Sequence, residues 1–231
     1  MNYRLRRVLG VILLCLGISF AVTQHYKANP SQPPAEQPQT TSKESDRAKV
    51  VLETLEVKGR AAKTGYERSK FGNGWSDAGG CDTRNIILWR DLTNATRADG
   101  CKVGSGDLLD PYTGKTIQFV RGSSTSSLVQ IDHVVALSNA WQTGAQQLDA
   151  AMRITFANDP LELLAVDGAA NQQKGDGDAA TWLPQNKSFR CQYVARQIAI
   201  KAKYRLWVTP PEKEALVRVL SACPNQTVPT G

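Results

Sequence analysis

Histidine is almost missing from this chain. Two occur in 231 residues, His25 and His133, and His25 falls in a stretch that reads as a leader or tether. Imidazole chemistry in the folded part therefore rests on His133. No Cys-x-x-Cys pair exists to join a single histidine in a zinc site. Gly-x-Ser-x-Gly, His-Glu-x-x-His and Ser-x-x-Lys are absent too, which removes support for the common serine and zinc hydrolases. No recognition-helix or zinc-finger signature is present. The apolar run over residues 8–22 falls short of the roughly 20 residues a membrane span wants. It follows Arg4, Arg6 and Arg7 and passes through Ser19-Phe20-Ala21, so it reads as a secretory signal cut after Ala21. An uncleaved anchor is the alternative. Cys15 lacks the small residues a lipoprotein cysteine needs before it, because Leu13-Leu14 precede it.

What is present fits one exported domain. Hydrophobic residues make up 41% of the chain and charged residues 21%, enough for a core and ordinary for a globular domain. The net charge is +7 from 28 basic and 21 acidic residues. Removing residues 1–21 takes away three arginines and leaves 25 against 21, or +4, too mild to argue for nucleic acid by itself. Four cysteines remain, Cys81, Cys101, Cys191 and Cys223, an even number that in a secreted chain suggests disulfides.

Residues 22–45 are rich in Pro, Gln, Ser and Thr and read as a linker. The folded domain is expected over residues 46–224, with a tail at 225–231. Val51, Leu52 and Leu55 suggest a short amphipathic helix. Cys81 to Asn85 opens a second helix reaching Leu92. Val103, Leu108-Leu109 and residues 116–120 read as short strands, with Asp110-Pro111-Tyr112-Thr113-Gly114 as a turn. Residues 128–135 form a strand, and residues 138–156 a continuous helix with Trp141, Ala145, Leu148 and Met152 near one face. Residues 161–166 form another strand, and a polar helix starts at Ala169-Ala170-Asn171. Residues 191–204 make a helix, and Thr209-Pro210-Pro211-Glu212 starts a second with a capping box. Two antiparallel helices of about 14 and 13 residues, each roughly 20 Å long, would bring Cys191 beside Cys223. That pairing leaves Cys81 for Cys101.

The stretch Val129-Gln130-Ile131-Asp132-His133-Val134-Val135 delivers an Asp-His pair at the end of a half-buried strand. Neighbours on an extended backbone point to opposite faces, so their cooperation requires the strand to end or bend there. Asn171 could equally be a helix cap, Lys174 a solvated lysine, and Arg84 a partner of Asp82 or Asp91. Asp167, Asp176 and Asp178 lack EF-hand spacing and read as acids at a helix start. Trp141, Trp182 and Trp207 read as core anchors.

Taken together, Asp132-His133-Val134-Val135, Asn158-Asp159-Pro160 and residues 163–176 resemble the secreted branch of the HNH endonucleases, the group with a GmrSD-type C-terminal domain. Residues 178–184, Gly65-Tyr66, Cys81-Asp82-Thr83-Arg84 and residues 110–114 extend the resemblance over nearly all of residues 50–224. It implies an α+β fold with a ββα-metal (HNH) core, flanking helices and short strands, stapled by disulfides. It further implies His133 as general base and Asp132 and Asn171 as ligands of one divalent metal ion, magnesium foremost, with manganese, calcium or zinc as alternatives. Relatives often carry histidine at the third position. None is available here, which leaves Lys174 and Asp176 as candidates for a third ligand or phosphate contact, Lys174 also as a candidate catalytic residue beside His133, and Arg84 as a further phosphate contact. Ala136 stands where proline is expected.

The expected function is a secreted, monomeric, metal-dependent endonuclease acting on DNA, with RNA as a second substrate class, with little sequence specificity and no stable membrane span. In chemical terms, a neutral imidazole can accept a proton from water near neutrality, and a hard cation suits carboxylate and amide oxygens. The rate is then expected to rise with pH through the ordinary histidine range. The competing reading is a non-enzymatic wall- or surface-associated binding module on the same scaffold.

Overall fold

The sequence folds into two small antiparallel sheets with helices packed around them. The computed structural model describes residues 46–230, so the expected leader and linker lie outside the described residues. Helix α1 (Ala48–Thr54) comes first, followed by α2 (Thr83–Asp91), whose N-cap Asp82 accepts the Asn85 N–H. Strands β1 (Thr93–Asp99), β2 (Lys102–Leu109) and β3 (Thr116–Val120) form one sheet in that order. β1 was not expected. Its residues are almost all exposed, so it carries no alternating pattern and owes its state to pairing with β2.

The second sheet holds β4 (Val129–His133) and β5 (Leu163–Asp167), paired antiparallel from Val129↔Asp167 to His133↔Leu163. Helix α5 (Gly168–Lys174) follows β5 without a loop, because Asp167 ends the strand and its side chain caps the helix at Ala170 N–H. Gly168 is required there, since a Cβ would collide with the Ser127 carbonyl oxygen. The result is a strand–strand–helix unit.

Between β4 and β5 the chain does not form the single helix expected over residues 138–156. It forms α3 (Leu137–Gln142) and α4 (Ala150–Ala157), separated by a short 3-10 turn. Gly144 breaks it: its φ is +129°, and a Cβ there would press on the Trp207 ring at 3.2 Å. Asp149 then caps a new helix through Met152 N–H. Met152, expected on the inner face, is consequently 44% exposed.

Helices α6 (Arg190–Lys203) and α7 (Pro210–Leu220) complete the domain. Both halves of the Thr209–Glu212 capping box form. The hairpin brings Cys191 to Cys223, and the other disulfide joins Cys81 to Cys101. Val134, Val166, Tyr193, Ile198 and Leu216 share the core beneath. Past residue 224 the chain still pairs: Thr227 bridges Arg47, Ala48 N–H donates to the Gln226 carbonyl, and Val228 N–H to that of Asp46. Among the described residues no helix is long and apolar enough to cross a membrane.

Candidate active site

A cleft of about 400 Å³ runs beside β4, and four consecutive strand residues, Gln130 to His133, line it. A pleated strand shows both faces to one cavity only along an edge. β4 has such an edge because its sheet holds two strands. Of the two ways expected, the strand takes the first: it ends at His133, and both residues stay in register with β5 without a bend.

His133 sits at the floor. Trp75 stacks on its ring, with centroids 5.6 Å apart and planes 10° apart. Its Nε2 lies 3.0 Å from the Ala157 carbonyl oxygen. A carbonyl only accepts, so Nε2 carries the hydrogen and Nδ1 holds the basic lone pair. No hydrogen bond claims Nδ1 among the described residues. Burial pushes the His133 pKa down to about 3, helped by the positive charges of Arg68 and Lys174 and opposed by the bond to Ala157. The imidazole is thus neutral across the neutral range. Glu162, itself fully buried, receives Val135 N–H at 3.1 Å and holds the chain as it leaves β4.

Asp132 faces the opposite way, into the body of the domain. Tyr112 donates its hydroxyl to Oδ2 at 2.5 Å, and Lys174 donates its ammonium to Oδ1 at 2.9 Å. Lys174 also donates to the His133 carbonyl at 2.8 Å. Burial pushes the Asp132 carboxyl upward, while Lys174 and Tyr112 pull it back. The Lys174 side chain is 0% exposed, so it presents no open face to a phosphate. Tyr112 arrives from the turn at residues 110–114, which Asp110 ties to the core of the unit by accepting Thr113 N–H and Asp167 N–H.

Asn171 lies inside α5, one turn past the cap, which is Asp167. Its Nδ2 donates to Gln130 Oε1 at 2.9 Å, which leaves Oδ1 as its acceptor. Asp132 and Asn171 line the same cleft. Asp176 lies apart, held by Lys63 and the Ser138 hydroxyl. Arg84 lines the cleft and spends one Nη on the carbonyls of Ser126 and Val129, pairing with neither Asp82 nor Asp91. Arg68 lines it too and has no ion-pair partner among the described residues. Arg68, Tyr112, Trp75 and Glu162 were not singled out in sequence as site residues, because long stretches of chain separate most of them from His133. For Tyr112, the one signal was its place in the Asp-Pro-Tyr-Thr-Gly turn.

Removing the Tyr112 hydroxyl tests how firmly Asp132 is held. Tyr112→Phe keeps the ring, which packs edge-on to Trp182 and Tyr193, and leaves one buried carboxylate oxygen short of a donor. A loss of about 1–3 kcal/mol is expected, measured by urea unfolding. Unchanged stability would show the bond to be worth nothing net.

Comparison with known proteins follows the same residues. Residues 81–219 match the family described as GmrSD restriction endonucleases, C-terminal domain. A protein of Arthroderma benhamiae, named only as an uncharacterized secreted protein, is 39% identical over 178 residues, covering 76% of this chain and 84% of that one. No solved structure matches. The family match covers α2 through nearly all of α7 and contains Asp132, His133 and Asn171, which makes this chain a member of the GmrSD restriction endonuclease C-terminal domain family.

Proposed function

We propose that the protein is an exported, monomeric, metal-dependent endonuclease, and that β4, β5 and α5 serve as a ββα-metal unit. The observation that carries this is the 3.0 Å contact of His133 Nε2 with the Ala157 carbonyl, which leaves Nδ1 without a hydrogen-bond partner among the described residues, in a residue that lines a cleft with Asp132, Asn171, Arg68 and Arg84. In this reading Nδ1 takes a proton from water as the water oxygen attacks phosphorus. The P–O ester bond breaks, and the departing alkoxide is protonated from solvent. Ala157 and Trp75 hold the imidazole in place. Arg68 and Arg84 offset phosphate charge, a role that Lys174 is too buried to fill. Lys174 and Tyr112 instead orient Asp132.

The donor set fits a hard dication. Among the described residues no cluster of three or more His, Cys, Asp or Glu could hold a metal, so an ion here would keep several waters, as magnesium does. Zinc would meet one imidazole and no thiolate among the described residues, whose four cysteines are all in disulfides. Asn171 Oδ1 is the donor open to such an ion, and Asp132, whose Oδ1 and Oδ2 already accept from Lys174 and Tyr112, would join it only through the remaining lone pair of a carboxylate oxygen. When bound, such an ion stabilises charge on the scissile phosphate and the leaving oxygen. Arginine contacts to phosphate carry no sequence information, which supports cleavage of DNA with little specificity. The basic and apolar leader, the disulfides and the name of the Arthroderma protein support export.

Purified protein incubated with plasmid DNA, and separately with RNA, should cleave with added magnesium and stop in EDTA. Asn171→Ala should need a higher metal concentration for half-maximal rate and remain folded. Absence of cleavage by wild type under every metal tried would favour the binding-module reading. Equal metal requirement in Asn171→Ala would remove Asn171 from the ligand set.

A further inference from the structure

A second cavity, about 600 Å³, shares no lining residue with the His133 cleft. Two arginines enter it from different helices, Arg90 of α2 and Arg196 of α6. Their Nη1 atoms converge on one oxygen, the Pro160 carbonyl, at 2.7 and 3.4 Å. Two guanidinium groups so placed repel one another, by several kcal/mol per pair in a partly buried setting if nothing intervenes. The one carboxylate lining the cavity, Asp91, is already committed: Arg90 grips both its oxygens at 2.6 and 2.9 Å, and Ala165 N–H donates to it at 2.8 Å. Arg196 spends Nη1 on the carbonyls of Pro160 and Leu161. Its Nε and Nη2 have no hydrogen-bond partner among the described residues. Burial lowers the Arg196 pKa, and the charge of Arg90 lowers it further.

Every nitrogen of Arg90 is engaged, its Nη2 also donating to the Leu163 carbonyl at 2.7 Å, so the cavity holds a net positive charge with one unclaimed fork, the Nε and Nη2 of Arg196, the arrangement that binds a phosphate or carboxylate by two parallel bonds. The remaining walls narrow the choice. Leu109, Pro111 and Phe189 offer apolar surface, and Leu109 is 69% exposed at the rim. Gln192 and Gln226 add amide groups to the lining, the Nε2 of Gln226 already donating to the Thr227 carbonyl at 2.9 Å. An anionic head, a flat apolar body and an edge with mixed donors and acceptors satisfy all three features. We propose that this cavity binds a phosphate monoester carrying a nucleobase, the chemistry of a 5′-mononucleotide, with the phosphate on the Nε and Nη2 of Arg196. The phosphorylated 5′ end of a nucleic acid strand offers the same chemistry. The site is built independently of the cleft and stands whether or not the cleft cleaves nucleic acid.

Calorimetric titration of the full chain in EDTA with adenosine 5′-monophosphate tests this. Saturable binding is expected, weaker with adenosine and with inorganic phosphate, and unchanged in His133→Ala. Arg196→Gln should weaken it at least about tenfold, as loss of a charged hydrogen bond does. Leu109→Glu, which touches no hydrogen bond of the fold, should weaken it as well by placing like charge at the rim. A 5′-phosphorylated oligonucleotide that binds more tightly than the mononucleotide would assign the site to strand ends, and weaker binding would assign it to free nucleotide. No saturable binding by wild type, or binding lost in His133→Ala yet kept in both Arg196→Gln and Leu109→Glu, would overturn the proposal.

Discussion

His133→Ala should lose about 10²–10⁴-fold of the phosphodiester cleavage rate, the range a positioned general base contributes, and stay folded. The side chain borders the cleft and a small recess beside Trp75, so its loss removes one stacking partner and one bond to a carbonyl. Near-ultraviolet circular dichroism and urea unfolding check the fold, and initial rates on supercoiled plasmid check the chemistry. The pH profile carries separate information. From sequence alone, a rising limb near the ordinary histidine pKa is expected. The structure moves it: with His133 held neutral down to about 3 by burial, the imidazole is unprotonated at every pH from 5 to 8. Lowering the pH from 8 to 5 should therefore not switch His133 off, and any rate change in that window should come from other groups. A folded His133→Ala protein cutting at the wild-type rate would remove the base from the mechanism.

The largest stability loss is expected at a place with no part in the cleft. Lys201 of α6 is fully buried, with its ammonium 2.9 Å from Glu212 Oε2 and 3.0 Å from the Trp207 carbonyl. Glu212 is buried as completely and at the same time closes the capping box of α7. Lys201→Met keeps an unbranched chain of similar length and removes the charge, stranding a carboxylate in the core. Breaking a buried pair from one side costs about 3–5 kcal/mol. The double variant Lys201→Met/Glu212→Gln should regain much of that loss, because no lone charge remains and the amide still reaches the Thr209 N–H. Urea unfolding of the two variants measures both terms. A single variant within about 1 kcal/mol of wild type would mean that the buried pair adds little net stability.

Local features were legible in sequence. The Thr209 box, the two disulfides and the strand carrying Asp132-His133 each depend on residues near one another or on one helix hairpin, and all are present. What was not legible depends on distant chain. β1 is exposed and polar, and it is a strand because β2 lies beside it. The helix expected over residues 138–156 has a plausible apolar face, but Gly144 lies under Trp207, which is 63 residues away, and the helix breaks. Lys174 reads as a surface lysine until Asp132 and the His133 carbonyl are placed around its ammonium. Arg68, from the short 3-10 helix over residues 68–71, and Tyr112, from the turn at residues 110–114, lie far along the chain from the Asp132–His133 pair, so no spacing rule could join them to it. The resemblance to a family indicated where to look; the tautomer, the buried lysine and the unbent strand came from the fold.

The pairing of residues 46–48 with residues 226–228 has a consequence for topology. Bringing the two ends of the domain side by side leaves the backbone nearly a closed ring. Where the ring is cut is then a choice rather than a necessity. A circularly permuted version, joined across this seam by a short glycine-serine bridge and reopened between the exposed residues Ser123 and Ser124, would keep every strand pairing and both disulfides. It would also place one new end, at Ser124, five residues before β4, so that a partner protein fused there is carried on the strand that lines the cleft.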